Sequence, residues 1–147
     1  MANNRILVVD DEEDLCEILQ FNLELEGYTV DVAHSAEEAL RLQLADYGLV
    51  LLDVMMGEIS GFKMAKMMNV PVIGIVENMS YFECPDCKGR HNIFGESNIE
   101  ALAAEYEIHS VSKIPMNPSL AKACDKGAIE LFDGDWLDGL ADKVEKI

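Results

Sequence analysis

Three carboxylates stand at the ends of two short apolar runs: Ile6 to Val9 leads into Asp10-Asp11, and Leu49 to Leu52 leads into Asp53. Carboxylates gathered at strand ends repel one another unless a cation lies among them, and hard oxygen ligands with room for water suit Mg²⁺. In such a setting one carboxylate can attack phosphorus and form an acyl phosphate while the others hold the metal. Asp53 is the candidate nucleophile, and Asp10 and Asp11 are the candidate metal ligands. Spacing alone leaves an equal alternative, in which the acids cap the next helix, as Asp11 to Asp14 would before Leu15.

A second group is Cys84-Pro85-Asp86-Cys87. Two thiolates do not complete a tetrahedral Zn²⁺ site or an iron-sulfur cluster, each of which normally takes four protein ligands or two more from a partner chain. His91 is a candidate third ligand within one chain. The plain alternative is a pair of free thiols in an exposed loop. Cys16 and Cys124 fall in expected helices and read as small packing residues, and Met55, Met56, Met64, Met67 and Met68 read as adaptable core or surface packing that needs no cofactor.

The elements that must position these groups alternate. Ile6 to Val9 and Leu49 to Leu52 read as buried parallel strands. Between them, Leu15, Ile18, Leu19 and Leu23 mark one helix face, Gly27 stops that helix, and Tyr28 to Val32 alternates as a strand. Ser35 with Glu38 forms a capping box opening a helix through about Leu44. A short helix follows Gly61, then a strand over Val70 to Val76 and a helix opened by Ser97 and Glu100, with Ile99, Leu102, Ala103 and Tyr106 inward. A strand near His109 to Ile114, a helix from Asn117-Pro118 to Gly127, and a last helix with Leu137, Leu140, Ala141 and Val144 inward complete the pattern.

Alternation of this kind predicts an α/β fold: one doubly wound parallel sheet of five strands, with helices on both faces. Ligands then bind outside the strand C-termini, where Asp10, Asp11 and Asp53 converge. The irregular stretch 78–94 exceeds ordinary loop lengths, which suggests function or an insertion.

At 147 residues the chain fits a single domain. Its net charge of −17 opposes nucleic-acid binding. No apolar run approaches a membrane span, and the N-terminus lacks the layout of a signal peptide, so a cytoplasmic protein is expected.

Ile6-Leu-Val-Val-Asp-Asp-Glu12, Leu51-Leu-Asp-Val-Met-Met56 and Ser60-Gly-Phe62 resemble the first three strands of a two-component response-regulator receiver, over about residues 4–68. The resemblance implies that Asp53 is the phosphoacceptor, that Asp10, Asp11 and the backbone carbonyl of Met55 join it in holding Mg²⁺, and that a histidine kinase is the donor if the chain is a working receiver. It also implies a phosphoryl contact from Lys113, in Ser112-Lys113-Ile114-Pro115. The pattern breaks at Val76, where the family carries a Thr or Ser hydroxyl, which puts its signalling movement in doubt; Gly57 stands where many receivers have Pro.

From Asn69 onward the chain instead resembles the C-terminal part of an Mrp/ApbC-type P-loop ATPase, a family of iron-sulfur carriers. The residues are Val70-Pro-Val-Ile-Gly-Ile-Val-Glu-Asn-Met-Ser-Tyr-Phe82, Cys84-Pro-Asp-Cys87, Ile93-Phe-Gly95, Ile114-Pro-Met-Asn-Pro118 and Ala123-Cys-Asp-Lys-Gly127. This resemblance implies a cluster held by Cys84 and Cys87 across a homodimer, and a nucleotide-base contact at Asn78, here vestigial. No Gly-x-x-x-x-Gly-Lys-Ser/Thr run exists in the chain, so neither ATP binding nor ATPase activity is expected.

Half of one family joined to half of another points to an engineered or recombined chimera forming one hybrid domain over 1–147, with its seam near Met68/Asn69; because both resembled parents are doubly wound, its five-stranded sheet is expected to close in the flavodoxin-like order 2-1-3-4-5. On that reading the acidic pocket persists without evolved signalling, no partner is required, and the chain is not an enzyme. Two alternatives stand beside it: a Cys-x-x-Cys metal module completed by homodimerisation, and a diverged response regulator of a phosphorelay.

Overall fold

Strand β1, Arg5–Val9, is buried along almost its whole length. In a parallel sheet the crossover helices cover both faces, so a central strand of branched apolar residues meets no water. In the computed structural model, which describes residues 3–146, β1 lies between β2, Thr29–Ala33, and β3, Leu49–Leu52. Both pairings are parallel, with Ile6 beside Val30 on one side and Leu49 on the other.

Side chains alternate across the strand. Leu7 and Val9 therefore point to one face, where they meet Ala33, Ala36, Ala39, Met56 and Met64. Ile6 and Val8 point to the opposite face and pack with Cys16 and Val30. Burying each large side chain contributes about 1.5–3 kcal/mol, so this double-sided packing is the main support of the first half.

Helix α1, Glu13–Leu25, covers the Ile6/Val8 face. Its inner stripe is Cys16, Leu19 and Leu23, whereas Leu15 and Ile18, expected to face inward, are exposed. Gly27, at φ +90°, ends the segment where a residue with a Cβ would be strained. Helix α2, Ala36–Ala39, is a single turn and stops well short of Leu44. Leu42 and Leu44 both pack against the same core as Ala36 and Ala39. Two residues apart, they would point to opposite sides of a continuing helix. The chain instead tightens through a bond from Leu42 N–H to Ala39 O and into a 3₁₀ turn at Leu44–Asp46. Helix α3, Gly61–Met68, is capped by the Ser60 hydroxyl and ends on Asn69 in the left-handed region.

Strand β4 is Ile75–Glu77 and not the longer Val70–Val76. Pro71 has no N–H to give a ladder, and Val72 is exposed. Next come the hairpin strands β5, Phe82–Glu83, and β6, Arg90–His91, then α4, Ile99–Glu105, and β7, Val111–Lys113. Strand β7 pairs parallel with β4. Helices α5, Pro118–Asp125, and α6, Asp138–Val144, follow. Asn117 caps α5 by accepting from the N–H groups of Ser119 and Leu120. On the last helix the expected inner face is reduced to Leu140. Leu137, Ala141 and Val144 are exposed.

The α/β class and flavodoxin-like character stand. The single five-stranded order is corrected, because the described ladders form three separate sheets: β2-β1-β3, β4-β7 and β5-β6. Where the sequence suggested one hybrid domain with a seam at 68/69, the chain divides into two compact units, Met1–Pro71 and Val72–Ile147. No described helix is long and apolar enough to cross a membrane.

Candidate functional site

The ladders of the first unit run one residue past the strands and carry the carboxylates with them. Asp10 N–H donates to Ala33 O at 3.1 Å and Asp53 N–H donates to Val9 O at 2.9 Å. This fixes both backbones at the C-terminal edge of the sheet. Asp10 is buried, Asp53 half-buried and Asp11 exposed. One ligand oxygen from each lies within 4.8 Å of the other two, the only such three-residue group among the described residues.

Local bonds orient two of the three. Asp10 Oδ1 accepts from Glu12 N–H at 2.9 Å, and Asp53 Oδ2 accepts from Met55 N–H at 3.1 Å. Asp11 to Asp14 do not cap the helix through a side chain: Glu12 occupies the cap position and makes no side-chain capping bond. Beneath the pocket, the Cys16 thiol donates to Asp10 O at 3.3 Å. Burial, with the Asp10 charge second, pushes that thiol above its ordinary range.

Gly61, expected as a helix start and as part of the Ser60-Gly-Phe62 motif, also positions the site. A Cβ there would lie 2.2 Å from the carbonyl oxygen of Asp53. Only glycine lets α3 press against the backbone that carries the nucleophile candidate. A Gly directly after the cap residue Ser60 was the available signal.

In the second unit the 78–94 stretch is organised by the β5–β6 hairpin. Phe82 pairs with His91 and Glu83 with Arg90. Cys84 N–H donates to Gly89 O and Lys88 N–H to Cys84 O, both at 2.9 Å, closing a tight turn at the tip. The N–H groups of Cys87 and Asp86, together with the Cys87 thiol, hydrogen-bond to the Cys84 sulfur and hold its pKa below the usual thiol range. Cys84 is half-buried, and Cys87 and Cys124 are exposed. Of the two cysteines expected to pack, Cys16 does so and Cys124 does not.

The remaining candidates have local partners. Lys113 Nζ forms an ion pair with Glu100 at 2.5 Å, which holds that carboxyl below its usual range. Glu100 is thereby drawn away from the expected capping box. Ser97 Oγ still accepts from Ile99 N–H, but donates to Glu77, as does Ser80. Asn78 is exposed, and its Oδ1 accepts from Met79 N–H at 2.9 Å. Val76 and the Met55 side chain face solvent.

The model of the NUBPL iron-transfer P-loop NTPase family matches residues 49–143. The chain belongs to that family. A response regulator receiver domain model matches residues 6–78, so the chain is a chimera in which the two patterns overlap across β3, α3 and β4. The NUBPL-type pattern thus starts well ahead of the seam expected at Met68/Asn69.

Among curated proteins, the chain is similar to the cytosolic Fe-S cluster assembly factor Nubp1 homolog of Drosophila ananassae, 35% identical over 85 residues, covering 54% of this chain and 27% of that protein. An iron-sulfur cluster carrier protein of Methanocaldococcus jannaschii is 45% identical over 64 residues, covering 44% of this chain and 22% of the other. The chain therefore spans about a quarter of the length of these relatives. Among solved structures, a nucleotide-binding protein in complex with ADP from Archaeoglobus fulgidus aligns with a TM-score of 0.53 at 23% identity, covering 90% of this chain and 78% of that one. The HemR receiver domain of Leptospira biflexa aligns at 0.52 with 24% identity, covering 88% and 97%. These structural likenesses show the fold alone.

Proposed function

We propose that this chain is an engineered or recombined chimera whose working chemical site is a Mg²⁺-dependent phosphoacceptor at Asp53, with no evolved signalling output and no ATPase activity. The observation that carries the reading is the convergence of Asp10, Asp11 and Asp53 within 4.8 Å at the C-terminal edge of β1 and β3. An all-oxygen, carboxylate-rich donor set fits a hard divalent cation. Asp10, Asp11, Asp53 and the Met55 carbonyl would hold it, and its charge would offset that of phosphoryl oxygens.

Asp53 Oδ2 is tethered to Met55 N–H, which leaves Oδ1 to attack phosphorus. The new bond joins Oδ1 to phosphorus as the bond to the donor's leaving group breaks, and the leaving group departs with the electron pair. The receiver resemblance would assign a phosphoryl contact to Lys113, whose ammonium is paired with Glu100 within its own unit. The absence of a hydroxyl at Val76 supports a site without a coupled output, and the absence of a glycine-rich phosphate loop supports both the lack of ATPase activity and a vestigial Asn78. A histidine kinase is the natural donor only if the chain works as a diverged receiver. A cytosolic setting suits its free cysteines. Incubation with acetyl phosphate and Mg²⁺ tests the reading: one phosphoryl group is added, and labelling that survives Asp53→Ala sinks it.

A second reading is favoured by the hairpin tip, where backbone N–H groups aim at the Cys84 sulfur as they would at a metal thiolate. On it, Cys84 and Cys87 bind Zn²⁺ or an iron-sulfur cluster, completed by a second copy of the chain. Metal analysis of the wild type beside Cys84→Ser decides it, and a metal-free wild type after reconstitution removes it.

A further inference from the structure

We infer that His91 is a third metal ligand, so that one chain binds one Zn²⁺ through Cys84, Cys87 and His91 without a partner subunit. The inference rests on the second reading above, that the cysteine loop takes metal, and changes its stoichiometry.

The hairpin register carries the argument. Phe82 pairs with His91, Glu83 with Arg90, and the next rung joins Cys84 to Gly89 through the Cys84 N–H bond. Side chains alternate between faces, so Cys84 and His91 lie on the same face as diagonal neighbours, a separation that long side chains bridge. Gly89, opposite Cys84, leaves the space between them open. A Cβ built at Gly89 would stand 3.2 Å from Cys87 Sγ and 3.6 Å from His91 Nε2. A sulfur and an imidazole nitrogen therefore converge on one point that no side chain fills, and the Cys84 sulfur is hydrogen-bonded to Cys87.

His91 is exposed and its ring makes no hydrogen bond to another described residue, so the ring turns without loss. Some turning is required, because among the described residues only the three aspartates bring ligand atoms within 4.8 Å of one another. On binding, the two thiols release their protons to solvent, two metal–sulfur bonds and one metal–nitrogen bond form, and water takes the fourth position. No electron transfer is involved. Charge also favours one chain per metal: two thiolates neutralise a divalent cation, whereas two copies of a chain of net charge −17 repel each other.

The test is titration of the reduced, metal-free protein with Co²⁺, following thiolate-to-cobalt and ligand-field absorption, with light scattering for mass. The wild type takes up one Co²⁺ per chain as a monomer, with tetrahedral bands. His91→Ala weakens binding by at least about tenfold, since losing even a supporting neighbour of a ligand costs that much, and changes the ligand-field bands; His91→Cys restores tight binding. One metal per two chains, unaffected by His91→Ala, overturns this inference and leaves the dimeric reading intact. Failure of the wild type to bind, or full binding by Cys84→Ser, overturns both.

Discussion

Replacing Asp53 by Asn should make the metal-free protein more stable, although it removes the proposed nucleophile. The ligand oxygens of the three carboxylates lie within 4.8 Å of one another, and two unit charges at that outer limit repel by about 0.9 kcal/mol in a water-like medium and about 3.5 kcal/mol at an effective dielectric constant of 20. Asp11 is exposed but Asp10 is buried, so the lower figure is a floor for the two pairs that Asp53 makes. The substitution removes two of the three pairwise repulsions, a gain of at least about 2 kcal/mol. The amide oxygen of the new side chain can keep the bond from Met55 N–H, so little else changes. Physiological salt leaves most of the effect, because the screening length of about 8 Å exceeds the separation. Mg²⁺ reverses the order. At a hundredfold excess over its dissociation constant the ion stabilises the wild type by about 2.7 kcal/mol, while the variant offers one charged ligand fewer. Scanning calorimetry in EDTA and in Mg²⁺ reads both arms. An Asp53→Asn variant no more stable than wild type in EDTA, with a difference Mg²⁺ leaves unchanged, would refute the reasoning.

Gly61→Ala should destabilise the first unit by about 3 kcal/mol, the upper end of overpacking costs, and weaken Mg²⁺ binding, because the new Cβ meets the Asp53 carbonyl; an unchanged melting transition contradicts this. Asn117→Ala should cost about 1 kcal/mol, the usual worth of a side-chain cap, measured by denaturation followed at Trp136. Disulfide reagents should modify Cys84, Cys87 and Cys124 rapidly and Cys16 only on unfolding, with Cys84 alkylation reaching half its maximum below the ordinary thiol range; equal rates at all four sites would be the contrary result. Because the raised Cys16 thiol keeps its proton longer in the folded state, its contribution is complete below the ordinary thiol range and is lost as pH rises through the folded value. Alkaline destabilisation should therefore flatten in Cys16→Ala.

The sheet of the first unit and the placing of Asp10, Asp11 and Asp53 were legible because β1 and β3 are continuous apolar runs that end in acids. The inner face of α1 was legible in part, since Leu19 and Leu23 do pack inward. Cys16 is buried where Leu15 and Ile18 are not, and periodicity alone does not choose between overlapping stripes on one helix. Helix α2 was overextended because a capping box marks where a helix starts and says nothing of Leu42 and Leu44 returning to the same core. The pairing of Glu100 with Lys113, and the roles of Gly61 and Gly89, depend on approaches between residues distant in sequence or on missing Cβ atoms, which no local pattern encodes. Two overlapping family patterns were readable as a change in resemblance. The division at Pro71/Val72 lies close to that change.

Phosphoryl transfer to Asp53 is the central claim, and its product can be trapped. After incubation with acetyl phosphate and Mg²⁺, borohydride converts an aspartyl phosphate into homoserine, which peptide mass spectrometry locates. The account predicts homoserine at position 53 alone, dependent on both donor and Mg²⁺. Homoserine at another acid, or trapping that persists in EDTA, would contradict it.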